Sequence, residues 1–158
     1  MLNKINSDDL KENEDGLMCF QSKPFTGLAE SFYDNGQKLW EVNYKDGKKD
    51  GLLKMWHDNG NKQFEQNFLD GKLHGLSIEW RENGVMWSEK YWKEGMDHGS
   101  EKNWRKDGSK QWETNYKDNQ RHGLWVFFND DGSESTRITY ENGEKINQEW
   151  VSPPKRGW

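Results

Sequence analysis

Glycine recurs in this chain on a 24-residue clock. Gly27, Gly51, Gly75, Gly99 and Gly123 are each 24 residues apart, and so are Gly36, Gly60, Gly84, Gly108 and Gly132. A third register holds Gly47, Gly71, Gly95 and Gly143, with Asn119 in the missing place. Asn is one of the few other residues that tolerate a positive φ. Rings keep the same time: Phe32, Trp56, Trp80, Trp104 and Phe128 in one register, and Phe20, Tyr44, Phe68, Trp92, Tyr116 and Tyr140 in another. A fixed period of this length means a row of equivalent supersecondary units, each burying its apolar surface against its neighbours.

Each unit reads as a β-hairpin. Residues 28 to 33 and 37 to 44 flank Asp34-Asn35-Gly36, and the later turns are Asp58-Asn59-Gly60, Glu82-Asn83-Gly84, Lys106-Asp107-Gly108 and Asp130-Asp131-Gly132. Asn-Gly and Asp-Gly favour tight hairpin turns in which both central residues take positive φ. The second connection, Asp46 to Gly51 and its copies, also reads as a turn. No segment carries an apolar stripe of helical period, so helix is at most a minor component.

Composition says how such a row is held together. Leu, Ile, Val and Phe number only 26 of 158 residues, about 16%, a level that alone points towards disorder. Against that stand 22 aromatic residues, 10 of them Trp, and a net charge of only −5; disordered chains are poor in rings and strongly charged. The chain therefore folds with rings in place of aliphatic side chains, around a thin core. Strand alternation predicts one aromatic face, with Leu28, Phe32, Trp40, Val42 and Tyr44 in the first unit. The opposite face is predicted to be polar and to carry Glu41, Glu65, Glu89 and Glu113, with Trp87 and Trp125 among them.

The fold expected is all-β: an elongated, twisted, single-layer antiparallel sheet of stacked 24-residue hairpins. Residues 16–151 form the repeat domain, with a half-repeat cap at 16–26, full repeats at 27–50, 51–74, 75–98, 99–122 and 123–146, and a closing strand at 147–151. Residues 1–15 are expected to be a loose N-terminal extension and 152–158 a loose tail. The end strands expected are Leu17 to Phe20 and Gln148 to Val151.

The unit Gly-x-x-x-x-Phe/Trp-x-x-Asn/Asp-Gly, followed by an aromatic residue and Gly-x-x-His-Gly, resembles the MORN repeat. It is similar above all to the bacterial variant found in YwqK-type antitoxins. Pro24-Phe25-Thr26-Gly27 matches that variant's opening, and Gly-x-x-His-Gly stands at Gly71 to Gly75 and Gly95 to Gly99, and at Asn119 to Gly123 with Asn for the first Gly. The chain departs from the pattern at Asp50, where His is usual, and at Ser88, Ser100 and Thr136, where apolar residues are. The resemblance implies stacked hairpins and a bacterial scaffold of the antitoxin or immunity type that neutralises a partner protein. Such scaffolds carry unrelated functions, and eukaryotic MORN proteins suggest an alternative, a membrane- or lipid-associated structural scaffold.

Several function classes are excluded. A pI near 5.4 argues against nucleic acid, which is held by Lys and Arg on phosphates. No apolar run reaches the ~18 residues of a membrane-spanning helix, and residues 1–9 lack the apolar core of a signal peptide; a cytoplasmic chain is expected. Cys19 is the only cysteine. His74, His98 and His122 recur one repeat apart, about 9.6 Å at two strands of ~4.8 Å, which is too far for a shared metal ion. Phosphate-loop, nucleophile-elbow and zinc-protease motifs are missing. The expectation is a monomeric, non-catalytic scaffold that binds another protein and uses no cofactor. Trp56, Trp80, Trp87, Trp104 and Trp125 are the candidate partner-binding residues. Glu41, Glu65, Glu89 and Glu113 are either an acidic docking strip or an exposed face that keeps the sheet from stacking.

Overall fold

The computed structural model describes residues 4–151; residues 1–3 and the tail 152–158 lie outside it. The strands are β1 (Lys4–Asn6), β2 (Leu10–Glu12), β3 (Met18–Phe20), β4 (Lys23–Pro24), β5 (Gly27–Phe32), β6 (Lys38–Lys45), β7 (Lys48–Trp56) and β8 (Lys62–Leu69). They continue as β9 (Lys72–Trp80), β10 (Met86–Lys93), β11 (Met96–Trp104), β12 (Lys110–Lys117), β13 (Gln120–Arg121), β14 (Gly123–Phe128), β15 (Glu134–Glu141) and β16 (Glu144–Trp150). From β5 onward each strand pairs antiparallel with the next, except that β12 pairs with both the short β13 and β14, in one long sheet that ends at β16. The fold is all-β, and among the described residues the one helical element is a 3-10 turn at Ser7–Asp9.

The two connections use different turn chemistry, in the opposite sense to the sequence expectation. In the Asn-Gly turns only the glycine has positive φ, for example Gly36 at +82°. The Gly36 N–H donates to the Tyr33 carbonyl, and the Asn35 side-chain oxygen accepts from the Gln37 N–H at 2.9 Å. Asn59, Asn83, Asp107 and Asp131 repeat that side-chain bond. The paired positive φ of a primed turn falls instead in the second connection, at Asp46-Gly47, Asp70-Gly71, Glu94-Gly95, Asp118-Asn119 and Asn142-Gly143.

The first turn also changes the faces. Phe32 pairs with Lys38 but Ser31 pairs with Trp40, so Leu39 is an unpaired bulge residue. One extra residue reverses the parity between the two strands. Leu28 therefore stands opposite Asn43, and Ala29 opposite Val42. The single aromatic face expected from alternation is split in two. One face, here the ladder face, carries Leu28, Trp56, Trp80, Trp104 and Phe128 together with the four glutamates. The other, the open face, carries Trp40, Val42, Tyr44, Phe68, Trp92, Trp112, Tyr116 and Tyr140.

The N-terminal segment is a cap, which corrects the expectation of a loose extension at 1–15 for its described part. β1 adds to the edge of the long sheet in parallel with β5, and Lys4 reaches the buried Glu30 at 2.6 Å. Residues 16–26 do not extend the sheet either: β2, β3 and β4 form a separate three-stranded sheet, so Leu17 to Phe20 is not its end strand. Leu10 and Phe25 pack on Ala29, Val42 and Tyr44, with Met18, Phe20 and Leu53 around them. That is the one two-layered part of the described chain. Six of the seven buried hydrophobic residues lie at this end, so the rest of the sheet holds its rings half-buried.

Candidate functional site

The ladder face is neutralised from within. Lys38 bonds Glu41 at 2.6 Å, and its ammonium lies 5.5 Å from the centre of the Trp56 ring in the next repeat. Lys62 repeats this with Glu65 and Trp80, and Lys110 with Glu113 and Phe128. Glu41 also meets Lys54, and Glu89 meets Lys102 at 2.8 Å. Burial pushes the Glu41 carboxyl up, but hydrogen bonds from Lys38 and Lys54 outweigh it and leave the group below its ordinary range. The four glutamates are thus joined to lysines rather than forming a bare acidic strip, and Trp56 and Trp80 are partly roofed by ammonium groups.

A second periodic tie was not foreseen. The Tyr33 hydroxyl donates to the Trp56 carbonyl at 2.8 Å and Arg81 donates to the Trp104 carbonyl at 2.8 Å; His57 contacts the Trp80 carbonyl and Arg105 the Phe128 carbonyl. These four residues are 24 apart, but their differing types conceal the register. The recurring histidines do separate jobs: His98 faces Asp118 at 3.2 Å, and His122 accepts from the Asn142 N–H. Among the described residues no group of three or more His, Cys, Asp or Glu could hold a metal ion.

The open face is different. Cross-strand partners line up in rows, one running through Val42, Leu53, Gln66, Ser77, Lys90, Glu101 and Thr114, and a neighbouring one through Phe64, Glu79, Ser88, Asn103, Trp112 and Phe127. Where the first repeat has Ala29, Ser31, Trp40 and Val42, the third has Ser77, Glu79, Ser88 and Lys90. The fourth begins Glu101 and Asn103, whereas the fifth has Trp125 and Phe127. Apolar ends therefore flank a polar centre. At the far end Trp125 stacks on Phe127 at 5.2 Å, meets Trp112 and Tyr140, and lies under Arg121. It belongs to this ring cluster and not to the ladder face.

Between the two apolar ends is a cavity of about 260 Å³ lined by Gln66, Ser77, Glu79, Trp87, Ser88, Lys90, Trp92, Glu101, Asn103 and Trp112. Lys90 bonds Asp97 at 2.9 Å, approaches Glu101 at 3.6 Å, and lies 4.5 Å from the Trp92 ring centre. Burial raises both Glu79 and Glu101, against the opposing pull of Lys90. Trp87, the bulge residue of its hairpin, lines this cavity and is 37% exposed. Of the five tryptophans singled out from the sequence, Trp87 lines this cavity, Trp125 sits in the neighbouring ring cluster, and Trp56, Trp80 and Trp104 are on the reverse face. A larger cavity of about 510 Å³ at the N-terminal cap is lined by Lys4, Phe20, Pro24 and Phe25 among others, and has no carboxylate.

Three segments of the chain, residues 25–46, 49–70 and 73–94, match the MORN repeat variant. Each covers one hairpin and stops at the first residue of its primed turn. No curated protein matches the chain. Among solved structures, a mutant of S. aureus TarM in complex with Fondaparinux, alpha-GlcNAc-glycerol and UDP aligns over 73% of this chain and 21% of its own, at 11% identity and a TM-score of 0.38. TarM alone aligns over 72% and 22%, at 13% identity and a TM-score of 0.38. The chain thus spans about a fifth of the length of those structures.

Proposed function

We propose that this chain, a MORN repeat variant protein, is a monomeric, non-catalytic scaffold that binds another protein on its open face, with an antitoxin-type neutralising role as the finer form of that reading. The observation that supports it is the uncovered state of that face beyond the cap. From β8 to β12 no described second layer lies over it, and rings and charged groups stay half-buried there. A surface of this kind is close to what an interface core needs, with tryptophan near its middle. On the ladder face the glutamates are already paired with lysines, although Leu52, Tyr91 and Leu124 are exposed there.

A photo-crosslinking side chain placed at Trp87 tests this against the same group at Lys54 on the ladder face. The expected result is one cross-linked protein, identified by mass spectrometry, from position 87 and none from position 54. Equal labelling from both positions, or robust sedimentation with anionic lipid vesicles at physiological salt, overturns the reading in favour of a lipid-associated scaffold.

A further inference from the structure

We propose that the central cavity of the open face receives a cationic side chain of the partner, an arginine guanidinium above all, between Glu79, Glu101 and the Trp87 ring. This rests on the protein-binding reading and names the chemistry of its centre. Three carboxylates, Glu79, Asp97 and Glu101, gather around one ammonium, Lys90. Lys90 is engaged by Asp97 and Glu101, while Glu79 has no ion pair among the described residues. Ser77 lines the same cavity at 5% exposure, and its hydroxyl has no hydrogen-bond partner there. A buried polar atom without a partner is costly. So is a half-buried carboxylate whose nearby cation, Lys90, is already engaged by Asp97 and Glu101; the pull of Lys90 does not offset the burial that raises Glu79.

The repeat does not prescribe these groups. At the register of Ser77 the other repeats carry Ala29, Leu53, Glu101 and Trp125, and at that of Glu79 they carry Ser31, Met55, Asn103 and Phe127. Beyond Ser31, the polar residues are confined to the third and fourth repeats. A guanidinium answers the arrangement best, since its planar fork of donors reaches a carboxylate and a hydroxyl together and its face stacks on indole. The chain already uses this pairing, with Arg81 lying 5.7 Å from the Trp87 ring centre and Lys90 held between Asp97 and Trp92.

The test is a titration of the full chain with an acetylated and amidated Gly-Arg-Gly peptide, followed by the indole N–H signals of Trp87 and Trp92. The same peptide with citrulline, which keeps the shape and loses the charge, is the comparison. Expected is binding of the arginine peptide that weakens about tenfold or more with citrulline or in Glu79→Gln, and that is unchanged in Glu113→Gln on the ladder face. Thermal unfolding of Glu79→Gln near neutral pH is expected to match or exceed that of the natural chain, because a carboxylate raised by burial does not stabilise the fold when ionised. Equal binding of the two peptides, no shift of either indole, or a Glu79→Gln variant that unfolds at lower temperature overturns the proposal. If that variant still cross-links its partner from position 87 at the natural level, the cationic pocket falls and the protein-binding reading stands. Absence of any partner for the natural chain removes the reading itself.

Discussion

Replacing glycines by alanine separates backbone strain from crowding, because Gly95 in a turn and Gly99 in a strand share a positive φ but not their surroundings. Gly95 and Gly99 have φ of +82° and +86°, where an L-residue costs roughly 1–2 kcal/mol. A Cβ at Gly95 meets nothing within 4 Å, whereas at Gly99 it meets the Cβ of Tyr91 at 3.2 Å. Tyr91 and Gly99 sit on the adjacent, hydrogen-bonded strands β10 and β11, so that contact is relieved only by shifting one strand against the other. Overpacking of this kind costs about 1–3 kcal/mol, and a displacement of a few tenths of an ångström belongs at the low end. The expected losses are therefore ~1–2 kcal/mol for Gly95→Ala and ~2–3 kcal/mol for Gly99→Ala. Gly51, whose Cβ would meet Asn43 at 3.4 Å, should fall between them, and Gly75 and Gly123, at 3.8 Å, should behave like Gly95. Urea unfolding followed by tryptophan fluorescence measures the series, provided the dependence on urea stays constant. A Gly99→Ala variant no less stable than Gly95→Ala would refute the reasoning.

Other expectations follow from the same geometry. Lys38→Met should cost several times more than Lys110→Met, since Lys38 also pairs with Glu30, which is 3% exposed. Lys110 and Glu113 are both partly exposed, and such pairs contribute at most ~1 kcal/mol; chemical denaturation compares the two. Removing residues 1 to 12 should lower the unfolding midpoint markedly, because it takes Leu10 and β1 from the buried cluster; an unchanged midpoint would return that segment to a loose extension. Glu41 and Glu79 should give opposite pH behaviour. The folded carboxyl of Glu41 is lowered, so its stabilisation is present above its unfolded value and is lost as pH falls through the lower folded one. Glu41→Gln should therefore destabilise near neutral pH and lose that effect as pH falls through the lowered folded value. Glu79 is raised, so its favourable contribution exists only below its unfolded value and vanishes as pH rises through the folded one. Melting temperatures of the Gln variants across that range check both signs.

What the sequence made legible depended on whether a constraint acts through residue type. A positive φ favours glycine, so Gly36, Gly47, Gly51 and their copies, with Asn119 in one of those places, announced the turns and the hairpin order of the long sheet. The Gln21-Ser22 turn of the cap carried no glycine to mark it. The bulge beside each turn selects nothing: Leu39, Gln63, Trp87, Gln111 and Ser135 occupy it in turn. Its effect on parity, and so the division of rings between faces, could not be read from alternation. The tie to the next repeat's carbonyl needs only a long donor, which Tyr33, His57, Arg81 and Arg105 all provide, so residue identity hides it. β1 and β2 have three residues each and carry Ile5 and Leu10 as their only apolar residues, too little for a period to show.

The cavity was legible in a different way, by comparing repeats column by column rather than searching for a motif. Ser77, Glu79, Ser88, Lys90, Glu101 and Asn103 form a polar block in columns that are largely apolar nearer the ends. The position of that block has a physical reason. In a linear array stability comes from unit terms and nearest-neighbour interfaces, and a terminal unit has one interface where a central unit has two. The ends of this chain meet that deficit with the Leu10, Phe25 and Val42 cluster on one side and the Trp112, Trp125 and Tyr140 cluster on the other. The central repeats, held from both sides, can carry an unpaired hydroxyl and raised carboxylates that a terminal repeat could not. Transplanting Ser77 and Glu79 into the corresponding positions of the second repeat, Leu53→Ser with Met55→Glu, should therefore destabilise the chain more than the reverse change in the third repeat, Ser77→Leu with Glu79→Met, which should leave its stability level or raise it. Urea midpoints of the two double variants decide this, and an equal loss in both would mean that the polar centre belongs to the fold and was not placed there for a ligand.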